Sequence, residues 1–336
     1  MSSSWNPSRR ELTLFVVVLL VAACGGRMHP SVVGHYLVYS RGYDTLAGPR
    51  IVLARADGSG AHTIAHGEHA VLSPDGRWVA FDVDAYRREG DPLYKLFVVS
   101  TRGGKPRLLA PTDGWPMWLP SSDAIWTFKR ERPVSIDLRG HVTALDSSPA
   151  LDNWSFSADG RWVAFSGGNG LTVMRITGGE RHRLTHGADD GGAVWGPHWI
   201  AFERGDASIW QIRPDGTGLH RILAGPRQAG RYGIWGYDAV AWAPDEQTLL
   251  GRVVTPHAWD VGIRIDVATG RFTHVHGYPV GLSRDGRFAL AFGGRATGGP
   301  GGGPQPPEWI AALPFGPGSR RHVLALGDIC CPSWNR

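Results

Sequence analysis

The sequence predicts an all-β fold: a β-propeller of four-stranded blades, seven in number, closed by its own two ends. Three observations predict it. A motif returns along the chain at a spacing near 42 residues. Each unit reads as four short strands separated by turn residues. Each terminus supplies part of a unit whose remainder lies at the other end. A supersecondary unit repeated at that period stacks on its neighbours to bury its apolar faces, and closing the stack removes the exposed end faces.

The clearest copy runs Ser73-Pro74-Asp75-Gly76-Arg77-Trp78-Val79-Ala80-Phe81. Ser157 to Phe165 nearly duplicates it, and Ser283 to Phe292 is a third. Weaker copies begin at Leu119, Gly196 and Ala243. Within the unit starting at His69, Ala70 to Ser73 reads as the first strand. Pro74-Asp75-Gly76 is a turn, because Asp-Gly tolerates positive φ at low cost. Trp78 to Phe81 is an unbroken apolar run, suited to a strand covered on both faces. Leu96 to Val99 follows as the third strand. Arg102-Gly103-Gly104 turns the chain into an outer fourth, Pro106 to Leu109. Comparable second turns recur at Ala56-Asp57-Gly58, Thr177-Gly178-Gly179, Pro214-Asp215-Gly216 and Thr269-Gly270. At the ends, Cys331 to Trp334 reads as a first strand with nothing after it. Gly34 to Tyr39 reads as a second strand with nothing before it. Joined, they make the seventh blade; six is the alternative count if one weak copy is misread. Nothing helical of useful length follows residue 23.

Composition agrees. The chain has 336 residues, 42% hydrophobic, with 15 Trp, 47 Gly and 24 Pro. That supports a real core and is too little aperiodic Gly and Pro for a disordered chain. Its charge of +5 is diffuse, without a run of Lys and Arg, which argues against nucleic acid as a partner.

The first residues read as an address. Arg9 and Arg10 precede an apolar run, Leu12 to Ala23, then Val21-Ala22-Ala23-Cys24. Twelve residues rise only about 18 Å as a helix, short of a hydrocarbon core of roughly 30 Å. The expectation is a secretory signal over 1–23. Val-Ala-Ala-Cys resembles the bacterial lipobox, which implies cleavage before Cys24, lipidation of its sulfur and a membrane tether over 24–33. Ser8-Arg9-Arg10-Glu11-Leu12 also resembles a twin-arginine export signal. The propeller would then occupy 34–336, sit in the cell envelope as a monomer, and meet envelope proteins there.

Ser-Pro-Asp-Gly-Arg followed by Trp-Val-Ala-Phe, with Asp-Gly or Gly-Gly before the fourth strand, resembles the TolB-type, WD40-like propeller repeat. The resemblance covers roughly residues 34 to 336. It is specific for fold and weak for function, since one scaffold hosts many activities. Relatives of this kind include parts of an envelope-spanning complex, lids of serine peptidases and envelope lipoproteins.

No catalytic motif emerges, and no cofactor or metal is expected. Gly281-Leu282-Ser283-Arg284-Asp285 starts like a nucleophile elbow, but Asp285 stands where the second Gly is needed. His62, His66 and His69 cluster in sequence, as do His274 and His276; most of these fall where polar rim residues of fourth strands belong. Cys330 and Cys331 are neighbours, a spacing that disfavours a bridge between them. The long connections, from strand two to three and from blade to blade, share one face, and binding residues collect on such loops. They offer Tyr86, Arg87, Arg88, Trp115, Arg227, Arg231, Tyr232, Trp235, His257 and Trp259 as candidate partner contacts, aromatics and Arg being the usual anchors. The expectation is a non-enzymatic envelope scaffold for partner proteins. The alternative is a small-molecule or sugar-binding propeller, or a propeller enzyme, with its site at the central channel.

Overall fold

The repeated motif closes its turn on itself. Ser73 Oγ donates to Asp75 Oδ1 at 2.6 Å and accepts the Trp78 N–H at 3.0 Å. Asp75 Oδ1 also accepts the Arg77 N–H at 3.0 Å. Gly76 supplies the left-handed φ of 69° that the turn requires. Ser157, Asp159 and Trp162 repeat these bonds at 2.6, 3.0 and 2.9 Å. The hydroxyl and carboxylate thus satisfy backbone donors that the strands leave over.

The computed structural model describes residues 36–42, 48–85, 93–145, 152–166, 170–205, 207–226, 234, 236–255, 261–283, 286–293, 309–315, 321–326 and 329–334. Its strands form seven four-stranded antiparallel sheets. Blade one joins the ends: Ile329–Trp334, Tyr36–Arg41, Arg50–Arg55 and His62–His66. Leu37 stands opposite Trp334 in that pairing, so the last strand closes the ring against the first. Blade two is Glu68–Leu72, Trp78–Asp84, Tyr94–Ser100 and Arg107–Thr112. Blade three is Met117–Trp118, Ala124–Lys129, Arg132–Asp137 and Val142–Ala144. Blade four is Asp152–Phe156, Trp162–Ser166, Leu171–Arg175 and Arg181–Arg183. Blade five is Gly191–Trp195, Ile200–Arg204, Ser208–Ile212 and His220–Leu223. Blade six is Gly236–Trp242, Thr248–Val254, Val261–Asp266 and Phe272–His276. Blade seven is Tyr278–Leu282, Phe288–Gly293, Trp309–Pro314 and His322–Leu326. No helix occurs among the described residues.

The core is divided. An apolar cluster fills each junction between consecutive blades, seven junctions in all. The one between blades seven and one packs Leu37, Tyr39 and Val52 on Val280, Phe292 and Ile310. Phe81, Trp126 and Phe202 are fully buried in other junctions. Each such side chain contributes about 1.5–3 kcal/mol by leaving water. Strand-one tryptophans also tie blades together: Trp118 Nε1 donates to Val71 O and Trp242 Nε1 to Val194 O, both at 3.0 Å.

The weak motif copies have physical substitutes. Ser122 adopts φ 64° where other turns place Gly, and its hydroxyl accepts the Asp75 N–H at 3.1 Å. Blade five lacks the turn aspartate altogether. Glu246 of blade six replaces it, accepting the His198 and Trp199 N–H groups at 2.7 and 3.2 Å.

Candidate functional site

Strand one starts, and strand two ends, on the face that carries the long connections. Near that end, one register position recurs in every blade, three residues after the strand-two residue paired with the last residue of strand one. It holds Ser40, Asp82, Phe128, Ser166, Glu203, Arg252 and Phe292 in blades one to seven. Three of the seven are ionisable, and they build two charged clusters.

Asp82 is fully buried. Its Oδ2 accepts the Trp115 N–H at 2.9 Å and lies 3.3 Å from His69 Nδ1. Its Oδ1 has no hydrogen-bond partner among the described residues. Burial pushes the Asp82 carboxyl up, against the downward pull of His69 and the Trp115 amide. Glu68 stands directly opposite Asp82 in the sheet. Burial pushes it up too; His69 opposes the rise and the Asp82 and Asp84 carboxylates add to it. Tyr94 is raised by burial and by the same three carboxylates.

The His69 ring is held between aromatics, 4.0 Å from Trp115 and edge-on to Tyr94 at 5.4 Å between centroids. His69 and Trp115 both adopt left-handed φ, 53° and 64°. Such backbone in a non-glycine residue is strained and collects at functional sites. A bulge between Glu68 and Val71 puts His69 there, so it turns back toward Asp82.

The second cluster joins three blades. Arg252, 3% exposed, donates from Nη2 and Nε to Asp238 Oδ2 at 2.6 and 3.1 Å and from Nη1 to Tyr278 Oη at 2.5 Å. Its guanidinium stacks 4.6 Å from the Tyr278 ring centroid. Burial pushes the Glu203 carboxyl well up, and Asp238 adds to the rise; Arg252 and the Ala239 amide oppose it. Nearby, Arg204 grips Asp190 with two bonds, 2.7 and 3.0 Å. Burial alone would raise Asp190, but its bonds to Arg204 and Thr185 hold it low.

Of the residues expected on the docking loops, Trp115 is described: half-buried, its ring tilted against His69, in the link from blade two to blade three. Cys24, Tyr86, Arg87, Arg88, Arg227, Arg231, Tyr232, Trp235, His257 and Trp259 lie outside the described residues. The histidine cluster divides. His62 and His66 are exposed on an outer strand, whereas His69 is buried on an inner one. No group of three or more His, Cys, Asp or Glu that could hold a metal occurs among the described residues. Sequence reasoning missed Glu68, Asp82, Glu203, Asp238, Arg252 and Tyr278. A signal for the strand-two members existed: aligned on their apolar runs, the repeats differ in the residue that follows Phe, which is Asp82, Ser166 or Glu203.

No family model and no characterised protein sequence matches the chain. Solved structures do. The chain is similar to an oligogalacturonate lyase in complex with manganese, at 14% identity over 88% of this chain and 87% of that one, with a TM-score of 0.57. It is similar to TolB from Acinetobacter baumannii, at 15% identity over 89% and 82%, with a TM-score of 0.50. It is also similar to a puromycin-hydrolyzing peptidase of Mycobacterium tuberculosis, at 13% identity over 92% of this chain, with a TM-score of 0.55. There it spans only 55% of the neighbour's length. These likenesses show a TolB-like propeller fold, and that fold serves both TolB proteins and enzymes.

Proposed function

We propose that this chain is a non-enzymatic, exported and lipid-tethered propeller that docks a partner protein on its long-connection face. The observation that carries the reading is the inequality of the two faces. On one, short turns are closed by their own side chains. On the other, connections range from a single residue, Gly67 or Gly277, to the fifteen of 294–308. A rigid ring with variable loops on one side is a recognition scaffold. The signal over 1–23 and Cys24 supply export and tether. In-cell crosslinking of the full chain, read by mass spectrometry, tests the docking. One dominant partner is expected, lost when Arg231, Trp235 and Trp259 are changed to Ala. Equal capture by that variant overturns the reading.

A second reading rests on Asp82: a small-ligand or sugar site at the inner end of blade two. A fully buried carboxylate oxygen without a partner beside a strained His69 is the kind of group that binding sites keep. Native mass spectrometry of purified protein checks it. A bound small molecule that disappears in Asp82→Asn supports it; identical spectra for both proteins reject it.

A further inference from the structure

Blades two and six fill one register position in different ways. In blade six the strand-one acid Asp238 stands opposite Arg252 of strand two. The guanidinium neutralises that acid through bonds of 2.6 and 3.1 Å and lies 4.6 Å from the ring of Tyr278, where blade seven begins. In blade two the strand-one acid Glu68 stands opposite Asp82. An acid faces an acid where blade six sets acid against base. No Lys or Arg pairs with Glu68 or Asp82 among the described residues.

His69 does not make up the difference. It brings at most one charge, and its Nδ1 faces Asp82 Oδ2 at 3.3 Å. That oxygen also accepts the Trp115 N–H. Oδ1, on a fully buried side chain, has no partner among the described residues. A buried acceptor in that state is costly unless a ligand donates to it. The cluster is therefore more than a gathering of acids: one oxygen in it lacks a donor.

The surroundings repeat the blade-six arrangement. Trp115, in the link to blade three, supplies an aromatic ring beside the carboxylate, as Tyr278 does for Arg252. Tyr94 stands opposite Asp84, two residues on from Asp82, and so shares its face of the sheet. Gly114, at φ 95°, lets the link close over this place; a Cβ there would lie 2.5 Å from the Tyr94 ring and 3.4 Å from Asp82 Oδ2. Glu68, Tyr94 and Trp115 are half-buried, so solvent reaches the rim of the cluster.

These features select the ligand. A hydroxyl can donate to Oδ1 but leaves the two acids without a counter-charge. A metal ion finds too few ligands, since no group of three or more His, Cys, Asp or Glu is suitably placed among the described residues. A quaternary ammonium carries charge but no N–H. A primary ammonium carries both, and its carbon chain can lie on aromatic rings.

We propose that the inner end of blade two binds the primary ammonium group of a small alkylamine, which donates an N–H to Asp82 Oδ1, balances Glu68 and rests its carbon chain against Trp115 and Tyr94. The ligand takes the role that the Arg252 guanidinium plays in blade six. This proposal rests on the small-ligand reading of Asp82 and names the class of ligand.

The test is calorimetric titration of the purified protein with n-butylammonium. Saturable binding at about millimolar concentration is expected, weakening as salt rises. N,N,N-trimethylbutylammonium, with the same charge and no N–H, should bind at least about tenfold more weakly, and n-butanol should not bind measurably. Asp82→Asn should weaken butylammonium by about tenfold or more, Glu68→Gln by about threefold, and Asp215→Asn on the short-turn face by less than about twofold. Thermal melting checks each variant; should Asp82→Asn lower the melting point, Glu68→Gln carries the comparison. No binding of butylammonium overturns the proposal. Equal binding of the trimethyl compound, or equal affinity in Asp82→Asn and Glu68→Gln, overturns it too. Native mass spectrometry separates the two failures. If butylammonium fails while a bound mass still disappears in Asp82→Asn, the small-ligand reading stands and the ammonium class alone falls; identical spectra reject both.

Discussion

The two faces of the ring treat their carboxylates in opposite ways. On the short-turn face, Asp57, Asp137, Asp159, Glu180, Asp215 and Asp266 are all held below the ordinary carboxylate range, chiefly by hydrogen bonds from their own turns. On the long-connection face, Glu68, Asp82 and Glu203 are all pushed above it, in each case first by burial. The first arrangement stabilises the fold. The second costs stability and is kept beside the connections that vary. Acids raised by burial thus gather at the ends of the strands from which the varied connections leave. Asp190 sits on that face yet is held low, and the reason is Arg204, which neutralises it.

That contrast can be tested from its strongest point downward. Arg252→Met should be the most damaging change, because it strands Asp238 beside the half-buried Glu203, whose carboxyl Arg252 also helps to hold down. Removing one partner of a buried ion pair costs about 3–5 kcal/mol, and urea unfolding would show it. A loss under about 1 kcal/mol would mean that the cluster relaxes into water and is not a buried stitch between blades.

On the opposite face, Gly270→Ala comes next. Gly270 lies at φ 65° with Ile222 O of the preceding blade where a Cβ would go. Left-handed strain and that clash together should cost about 2–3 kcal/mol. Gly103→Ala, at φ 95° with open space around it, should lose only about 1 kcal/mol. Equal losses would show that conformation alone, and not the approach of blades, fixes the turn glycines.

A smaller effect is expected from Asp82→Asn. The amide oxygen keeps an acceptor for the Trp115 N–H while the charge is removed, so stability near neutrality should change by less than about 1 kcal/mol. Differential scanning calorimetry would read it. A large loss would make Asp82 a structural anchor and remove the best argument for a ligand there.

The smallest effect is in pH. A carboxyl raised in the folded state binds a proton there more readily than in the unfolded chain. Its contribution is therefore present in acid and is lost as pH rises from the unfolded value, near 4, through the folded one. The turn acids work the other way, losing their contribution as pH falls through their lowered values. Glu68→Gln should therefore flatten the fall in stability as pH rises above the unfolded carboxyl's value, near 4.5, and leave the acid limb unchanged. A steeper fall would reverse the sign assigned to Glu68.

The repeat, the blade count and the closing pair were legible because their signals are local. Ser, Asp and Gly within five residues define a turn whatever surrounds it. The weak copies were harder for one reason: blade five borrows Glu246 from its neighbour, 48 residues away, so no local pattern reveals the cap. The charged clusters were hidden in the same way. His69 reaches Asp82 only through a bulge, and Arg252 meets Tyr278 only across a junction between blades. Sequence placed the histidines of the outer strands on the rim, and the structure agrees for His182, His220 and His274, all exposed.

Closure of the ring rests on a pairing between segments far apart in the chain, Ile329–Trp334 against Tyr36–Arg41. Loss of that pairing would leave the inner edge of Tyr36–Arg41 with its backbone groups open, a template for joining a second chain. One short strand thus stands between a closed ring and one that recruits its own copies.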